Sequence, residues 1–291
     1  MDRTARPRRS ALYMPGANAR ALEKARTLDA DVLLLDLEDA VAPAAKDAAR
    51  AQVVAALAAG GYGFRETVVR VNGATTAWGA EDLEAVARAG ADAVLLPKVE
   101  APGEVAAAEA ALRRHGAPEG LALWAMIETP RGVLRAGEIA AASPRLACLV
   151  AGTSDLVKDL RARHTPGRAE VATALSLVVL AARASGLACL DGVHLDLDDE
   201  AGFEAACRQG RDLGFDGKTL IHPKTIAAAN RLFGPSEAEL AAARRIMVAH
   251  AEAESFGRGV VVVEGKLVEA LHVEAARRLL ALAEELAARQ A

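Results

Sequence analysis

The stretch Val32-Leu33-Leu34-Leu35-Asp36-Leu37-Glu38-Asp39 decides how this chain is read. A continuous apolar run breaks off among three acids, and the alanine-rich stretch Ala44–Ala59 follows, closed by Gly60. Unbroken apolar character, rather than alternation, is what a parallel strand covered on both faces requires. An alanine-rich amphipathic stretch stopped by glycine reads as a helix. The unit is thus a buried strand with a polar C-terminal end, then a helix.

Outward from this unit the pattern repeats. The runs that read as buried strands are Ala11–Met14, Val32–Leu37, Thr67–Val71, Ala93–Leu96, Leu121–Ile127, Leu146–Ala151, Ala188–Leu190 and Thr219–Ile221. Glu81–Ala89, Glu104–His115 and Ala169–Ala184 read as helices between them, stopped by Gly90, Gly116 and Gly186. Eight strands alternating with helices favour an α/β fold of the closed (β/α)8, or TIM, barrel type over an open doubly wound sheet. No GxGxxG follows the first strand and no GxxxxGK[ST] occurs, so a nucleotide-binding reading has little support. A length of 291 residues is ordinary for one such barrel. Hydrophobic residues make up 52% and aromatics only 3%, so the core must be built from Ala, Val and Leu.

The barrel is expected over residues 1–233, with 234–291 as a C-terminal extension. Ser236 and Glu239 form a capping box that opens a helix to about Ala253. Val260–Val263 and Leu267–Val268 read as short strands around Glu264-Gly265, and a last helix runs from about Val273 to Ala288. An appendage of this length needs a surface to pack on, and a neighbouring subunit would supply one.

The formal net charge of −4 argues against a nucleic-acid partner. No apolar run is long enough to span a membrane, so no membrane partner is expected. The basic Arg3–Arg9 segment lacks the apolar stretch of a signal peptide. Cys148, Cys189 and Cys207 show no CxxC spacing, which fits a reduced, cytoplasmic setting.

Polar residues gather where the strands end: Asp36, Glu38 and Asp39; Arg70 and Asn72; Lys98; Glu128; Thr153, Ser154 and Asp155; Asp191 and His194; His222 and Lys224. In a barrel these ends form the active-site face. Glu128 and Asp155 close strands five and six. Adjacent strands lie about 5 Å apart, so the two carboxylates can share one hard cation such as Mg2+. The competing reading is that Asp155 only caps the next helix. No HExxH or His/Cys cluster suits zinc. Arg70 offers a planar fork for a substrate carboxylate, or an ion pair with Asp36 or Glu38. Lys98 could form a Schiff base with a carbonyl, though just past Pro97 an exposed or ion-paired lysine is the plainer reading. His194 and His222 are candidate acids or bases that more often serve local structure.

Several segments resemble the citrate lyase beta subunit family. They are Arg9-Ser10-Ala11-Leu12-Tyr13-Met14-Pro15-Gly16, Leu35-Asp36-Leu37-Glu38-Asp39-Ala40-Val41, the Lys46 to Arg50 stretch, Arg70-Val71-Asn72, Leu96-Pro97-Lys98, Ile127-Glu128-Thr129, Gly152-Thr153-Ser154-Asp155-Leu156 and Gly217-Lys218-Thr219-Leu220-Ile221-His222-Pro223. They occur in family order along nearly the whole chain. The wider group includes malyl-CoA lyases and HpcH/HpaI-type aldolases.

The resemblance implies a Mg2+-dependent carbon–carbon lyase that cleaves a citryl-CoA-like thioester to oxaloacetate and an acetyl thioester. A malyl-CoA or methylmalyl-CoA lyase, a thioesterase and a non-catalytic oxo-acid-binding barrel are the alternatives. It implies Glu128 and Asp155 as metal ligands and Arg70 as the grip on the oxo-acid carboxylate. Gly152, Thr153 and Ser154 would line the substrate, and Asp36, Glu38 and Asp39 would surround the metal's waters. Arg20 and Lys24 would meet the phosphates of CoA, unless the thioester is borne by an acyl carrier. Members assemble as homotrimers or homohexamers, with the C-terminal arm covering the next subunit's site. In that arm relatives carry an aspartate followed within two residues by proline. Here the segment reads Gly265-Lys266-Leu267-Val268-Glu269-Ala270, so Glu269 would be the acid/base, one methylene further out. A catalytic group displaced by ~1 Å can cost on the order of a hundredfold in rate.

Overall fold

Gly217 shows how tightly the sheet is closed. A β-carbon there would collide with the carbonyl oxygen of Arg8 and lie 2.7 Å from that of Arg9, so only glycine lets the last strand reach the first. The structure is a computed structural model, and it describes residues 6–255 and 261–289. The strands are β1 (Ser10–Pro15), β2 (Val32–Asp36), β3 (Glu66–Arg70), β4 (Ala93–Leu96), β5 (Ala122–Ile127), β6 (Leu146–Ala151), β7 (Ala188–Asp191) and β8 (Gly217–Leu220). Each pairs in parallel with the next, and β8 pairs with β1, giving a closed eight-stranded barrel. The expected (β/α)8 architecture is therefore present.

Strand parity decides which side chains enter the barrel, since successive residues point to opposite faces. Val32 and Leu34 on β2, Val68 on β3, and Ala122, Trp124 and Met126 on β5 belong to one buried cluster. The same parity carries Asp36, Arg70 and Glu128 to the inside at the C-terminal end. At the opposite end Arg8 pairs with Glu66 at 2.6 and 2.9 Å, and its guanidinium lies 5.2 Å from the centre of the Trp124 ring. The other parity, including Leu12, Leu33 and Leu35, is fully buried as well. This is why the strands read as continuous apolar runs.

Helix boundaries shift by a few residues for local reasons. The helix expected from Glu104 begins at Pro102, a proline at the first helical position, where its missing N–H costs nothing. The final barrel strand departs most, lying at Gly217–Leu220 rather than Thr219–Ile221. Its start was hidden because glycine and lysine are poor strand signals. Lys218 is completely buried, its ammonium 2.8 Å from Asp191, and Asp191 in turn pairs with Arg168 at 2.7 Å. Ile221 stands past the strand, partly exposed.

The barrel unit spans Arg8–Asn230, and the chain from Arg231 onward belongs to a second compact unit. There, Ser236 and Glu239 exchange the reciprocal hydrogen bonds of a capping box, opening the helix Glu237–Ser255. β9 (Val261–Val263) and β10 (Lys266–Val268) form an antiparallel hairpin, and the helix Ala270–Ala288 packs against Glu237–Ser255. The expected strand start at Val260 and the beginning of the Arg3–Arg9 segment lie outside the described residues. No described helix is long and apolar enough to cross a membrane.

All three cysteines are free and buried, and burial pushes each thiol up, that of Cys207 to about 11.

The Asp191 cluster carries a prediction. Removing one member of a buried ion pair leaves an uncompensated charge and costs about 3–5 kcal/mol. Asp191→Ala is expected to lower the urea midpoint accordingly, followed by far-UV circular dichroism.

Candidate active site at the barrel mouth

Asp36 and Arg70 are direct partners in the β2–β3 register. Arg70 donates from Nε and Nη2 to the two oxygens of Asp36, both at 2.7 Å. Its Nη1 approaches Glu38 Oε2 at 2.9 Å and Asp39 at 3.5 Å, and the guanidinium lies 4.6 Å from the centre of the Tyr13 ring. The ion-pair alternative for Arg70 is thus formed, yet the residue still lines the cavity. Asp36 also accepts the backbone N–H groups of Glu38 and Ala40, at 2.9 and 3.0 Å. Lys46 binds the carbonyl oxygens of Leu37 and Glu38, at 2.7 and 2.6 Å, so the loop after β2 is fixed from both sides.

Lys98, in the left-handed region at φ 49°, joins the acids across the mouth. Its backbone N–H donates to Glu128 Oε1 at 2.8 Å. Its ammonium sits 2.5 Å from Glu38 Oε1, 3.6 Å from Asp155 Oδ2 and 4.0 Å from Asp39 Oδ1. Burial acts to lower the ammonium's pKa, but Glu38 and Glu128 outweigh it and hold the group well above the ordinary lysine value. A Schiff-base lysine needs the opposite displacement.

Glu128 is only 1% exposed. Burial, together with Glu38 and Asp155, raises its pKa to about 7, against the opposing pull of Lys98. Asp155 lies in the first turn of the helix Thr153–Asp159 and makes no cap; its carboxylate binds Lys158 at 3.1 Å. Burial pushes Asp155 up, but Lys158 and Lys98 prevail and hold it below the usual carboxylate range. Gly152 leaves room for Glu128: a β-carbon there would strike Glu128 Cβ and lie 2.5 Å from its Oε2.

Asp36, Asp39, Arg70, Glu128, Gly152, Thr153, Ser154 and Asp155 all line one cavity of about 350 Å3, with Glu38 bridging Arg70 and Lys98 beside them. The remaining wall includes Tyr13, Met126, Val193, Leu195 and Ile221. Tyr13 was absent from the expected site residues. It could have been found from parity, since it shares the face of Ala11 at the end of β1.

Other strand-end residues resolve into local structure. Asp191 belongs to the cluster with Lys218 and Arg168. His194 packs edge-on against Phe203 and lies 3.7 Å from Asp199. His222 accepts the N–H of Lys224. Arg20 and Lys24 are exposed one turn apart on the helix Ala19–Ala25, outside the cavity lining. Glu269 belongs to the second unit, exposed just before the helix Ala270–Ala288, with its N–H donating to His272 Nδ1 at 3.0 Å.

Among the described residues no group of three or more His, Cys, Asp or Glu side chains is arranged to hold a metal. The Glu128/Asp155 pair suits a different demand. A hard divalent cation content with one or two carboxylates, keeping water on its other positions, fits a buried carboxylate with a raised pKa beside a second carboxylate. Glu38 Oε2 is buried beside them, with Arg70 Nη1 at 2.9 Å but not aligned for a hydrogen bond.

The fold and this mouth define a (β/α)8 barrel with an acidic, arginine-bearing site at its C-terminal face. Residues 9–223 match the model of the HpcH/HpaI aldolase/citrate lyase family, and the chain belongs to that family. It is 51% identical to a (3S)-malyl-CoA thioesterase of Cereibacter sphaeroides strain KD131, over 99% of each chain. It is 41% identical to the citrate lyase subunit beta of Escherichia coli K12, over 97% of this chain and 95% of that one. A crystal structure of CitE from Mycobacterium tuberculosis in complex with magnesium, acetoacetate and coenzyme A superposes with a TM-score of 0.76, at 34% identity, covering 97% of this chain and 99% of the other.

Gly152→Ala is expected to displace the Glu128 carboxylate and weaken divalent-cation binding at least about tenfold, since a ~1 Å displacement matters at such sites. Calorimetric Mg2+ titration of wild type and variant checks this.

Proposed function

We propose that the chain is a Mg2+-dependent enzyme acting on a 3-hydroxy-3-carboxyacyl thioester. The observation that carries this reading is the convergence of Glu128 and Asp155, from adjacent strand ends, with Arg70 in one cavity. The magnesium, acetoacetate and coenzyme A bound to the M. tuberculosis relative support it. Glu128 and Asp155 would hold the metal, and Asp36, Glu38 and Asp39 would order its waters. Bound there, Mg2+ would supply Lewis-acid stabilisation of charge on a substrate oxygen.

Arg70 would orient the carboxylate on carbon 3, its guanidinium kept in plane by Asp36 and Tyr13. Thr153 and Ser154 would line the acyl group, and Arg20 and Lys24 would meet the CoA phosphates. In the carbon–carbon cleavage direction, a general base at the mouth would take the proton of the carbon 3 hydroxyl. The bond from carbon 2 to carbon 3 breaks, carbon 3 becomes the carbonyl of an oxo-acid, and carbon 2 keeps the electron pair as a thioester enolate. Glu269 would return a proton to carbon 2. For that, the extension 234–291 would pack on a neighbouring subunit in a homotrimer or homohexamer.

A second reading, hydrolysis of the thioester, is favoured by the 51% identity to the C. sphaeroides thioesterase. The two reactions separate by product: an oxo-acid and an acetyl thioester in one case, free thiol and the intact hydroxy-polycarboxylic acid in the other.

Oxo-acid binding tests the site itself. Pyruvate or oxaloacetate titrated into the protein is expected to bind with Mg2+ and to lose at least about a hundredfold in affinity with EDTA, or in Glu128→Ala and Asp155→Ala. Equal binding with EDTA would overturn the metal reading. Label fixed on Lys98 by borohydride and an oxo-acid would replace it with Schiff-base chemistry. Glu269→Ala is expected to lower kcat by about 10²- to 10⁴-fold while sparing oxo-acid binding, in the range of a lost general acid.

A further inference from the structure

Arg70 is short of free donors for the role the cavity gives it. Its Nε and Nη2 already serve Asp36, and Nη1 stands 2.9 Å from Glu38. A carboxylate offers about four acceptor positions, so one bound here needs a further donor beside the guanidinium. Among the described residues, four hydroxyls line the cavity, those of Tyr13, Thr153, Ser154 and Thr219. That of Thr219 donates to the carbonyl oxygen of Asp191 at 3.1 Å. Thr153 and Ser154 open the helix Thr153–Asp159 beside Asp155. Tyr13 stacks on Arg70 itself, its ring centre 4.6 Å from the guanidinium carbon. β1 and β5 stand opposite each other in the ring of eight strands, and Tyr13 on β1 reaches Met126 on β5. The phenol therefore crosses the bore of the barrel, its ring against Arg70 and its hydroxyl against the opposite wall. Among the described residues that hydroxyl has one hydrogen bond, to the Met126 sulfur at 3.7 Å. A thioether is a weak acceptor, and a phenol keeps its proton at neutral pH, so the donor is protonated and nearly unspent.

Resting on the reading of this cavity as an oxo-acid site, we propose that the Tyr13 hydroxyl is a substrate-binding group, which leaves the Met126 sulfur and donates to the carboxylate oriented by Arg70. The exchange replaces a weak neutral acceptor by an anionic one, and hydrogen bonds to ionised acceptors are the stronger kind. The donor is neutral and adds no second cation for the surrounding acids to capture, as Glu38 and Asp155 capture Lys98. Ring and hydroxyl belong to one rigid side chain, so the group that braces the arginine also completes its grip.

Tyr13→Phe removes the hydroxyl and keeps the ring. Calorimetry on the Mg2+-loaded full chain is expected to show pyruvate binding weakened by about ten- to a hundredfold, the range for a lost hydrogen bond to a charged group, with Mg2+ binding unchanged. Pyruvate bound by the variant as tightly as by wild type overturns the proposal. An equal loss of Mg2+ affinity overturns it too, since Tyr13 would then support the site rather than touch its ligand. The chain has two tyrosines, Tyr13 and Tyr62, and Tyr62 precedes β3 at the other end of the barrel. In wild-type protein labelled for NMR at the phenolic ring carbon, pyruvate is expected to shift one tyrosine resonance, assigned to Tyr13 by its absence from Tyr13→Phe. A Tyr13 resonance unmoved by bound pyruvate overturns the proposal without recourse to the variant's affinity.

The same titrations separate this proposal from the reading it rests on. Mg2+-dependent pyruvate binding with no Tyr13 effect sinks the proposal and leaves the metal and oxo-acid reading standing. Pyruvate bound equally with EDTA, yet weakened in Tyr13→Phe, sinks the metal reading and leaves the role of Tyr13 standing. Binding of no oxo-acid at all sinks both.

Discussion

The buried pair of Asp36 and Arg70 is the constraint on which the mouth of the barrel depends. Two parallel hydrogen bonds of 2.7 Å tie the ends of β2 and β3 together, and both groups are almost removed from solvent. Such a pair contributes little net stability, because desolvation offsets the attraction. Its contribution is orientation. With both oxygens of Asp36 also accepting N–H groups of the following loop, Glu38 and Asp39 are delivered to fixed places. Arg70, braced against Tyr13, cannot swing out of the cavity. It remains part of the cavity lining.

Around this pair the charges are deliberately unbalanced. Asp36, Glu38, Asp39, Glu128 and Asp155 gather around Arg70 and Lys98, with Lys158 reaching Asp155 from outside the cavity lining. Glu128 shows the strain of that imbalance in its raised pKa. A divalent cation bound there would relieve it, and the Lys98 ammonium already lies within reach of Glu38 and Asp155. The Lys98 backbone, held in a conformation that side chains rarely adopt, is what aims its N–H at Glu128. Local backbone strain of this sort is concentrated at functional sites.

Much of this was legible in the sequence, and what was not has physical reasons. The eight strands announced themselves because parallel strands under helices are apolar on both faces. β8 did not, because Gly217 and Lys218 owe their places to a close backbone approach and a buried ion pair, both of which are tertiary facts. That Glu128 and Asp155 line one cavity was expected from strand adjacency, with a helix cap at Asp155 as the alternative. The double engagement of Arg70 could be stated only as an alternative, since spacing cannot say whether a buried arginine keeps its donors for a ligand or gives them to a neighbouring strand. Tyr13 was passed over because attention to ionisable groups overlooks an aromatic ring that serves as the floor beneath one. The apolar wall was equally invisible, because Val193, Leu195 and Ile221 look like ordinary loop and strand residues until the barrel turns them toward the acids.

The placement of the three cysteines has a bearing on thioester chemistry. Acyl groups migrate from a thioester to any thiolate they can reach, and the trapped acyl-protein is then lost to the intended reaction. Cys148, Cys189 and Cys207 are sealed within the barrel unit, with their thiols held in the protonated form. An activated acyl chain held at the mouth of this barrel would therefore meet no exposed cysteine thiol, and transfer to sulfur would be closed off by burial alone.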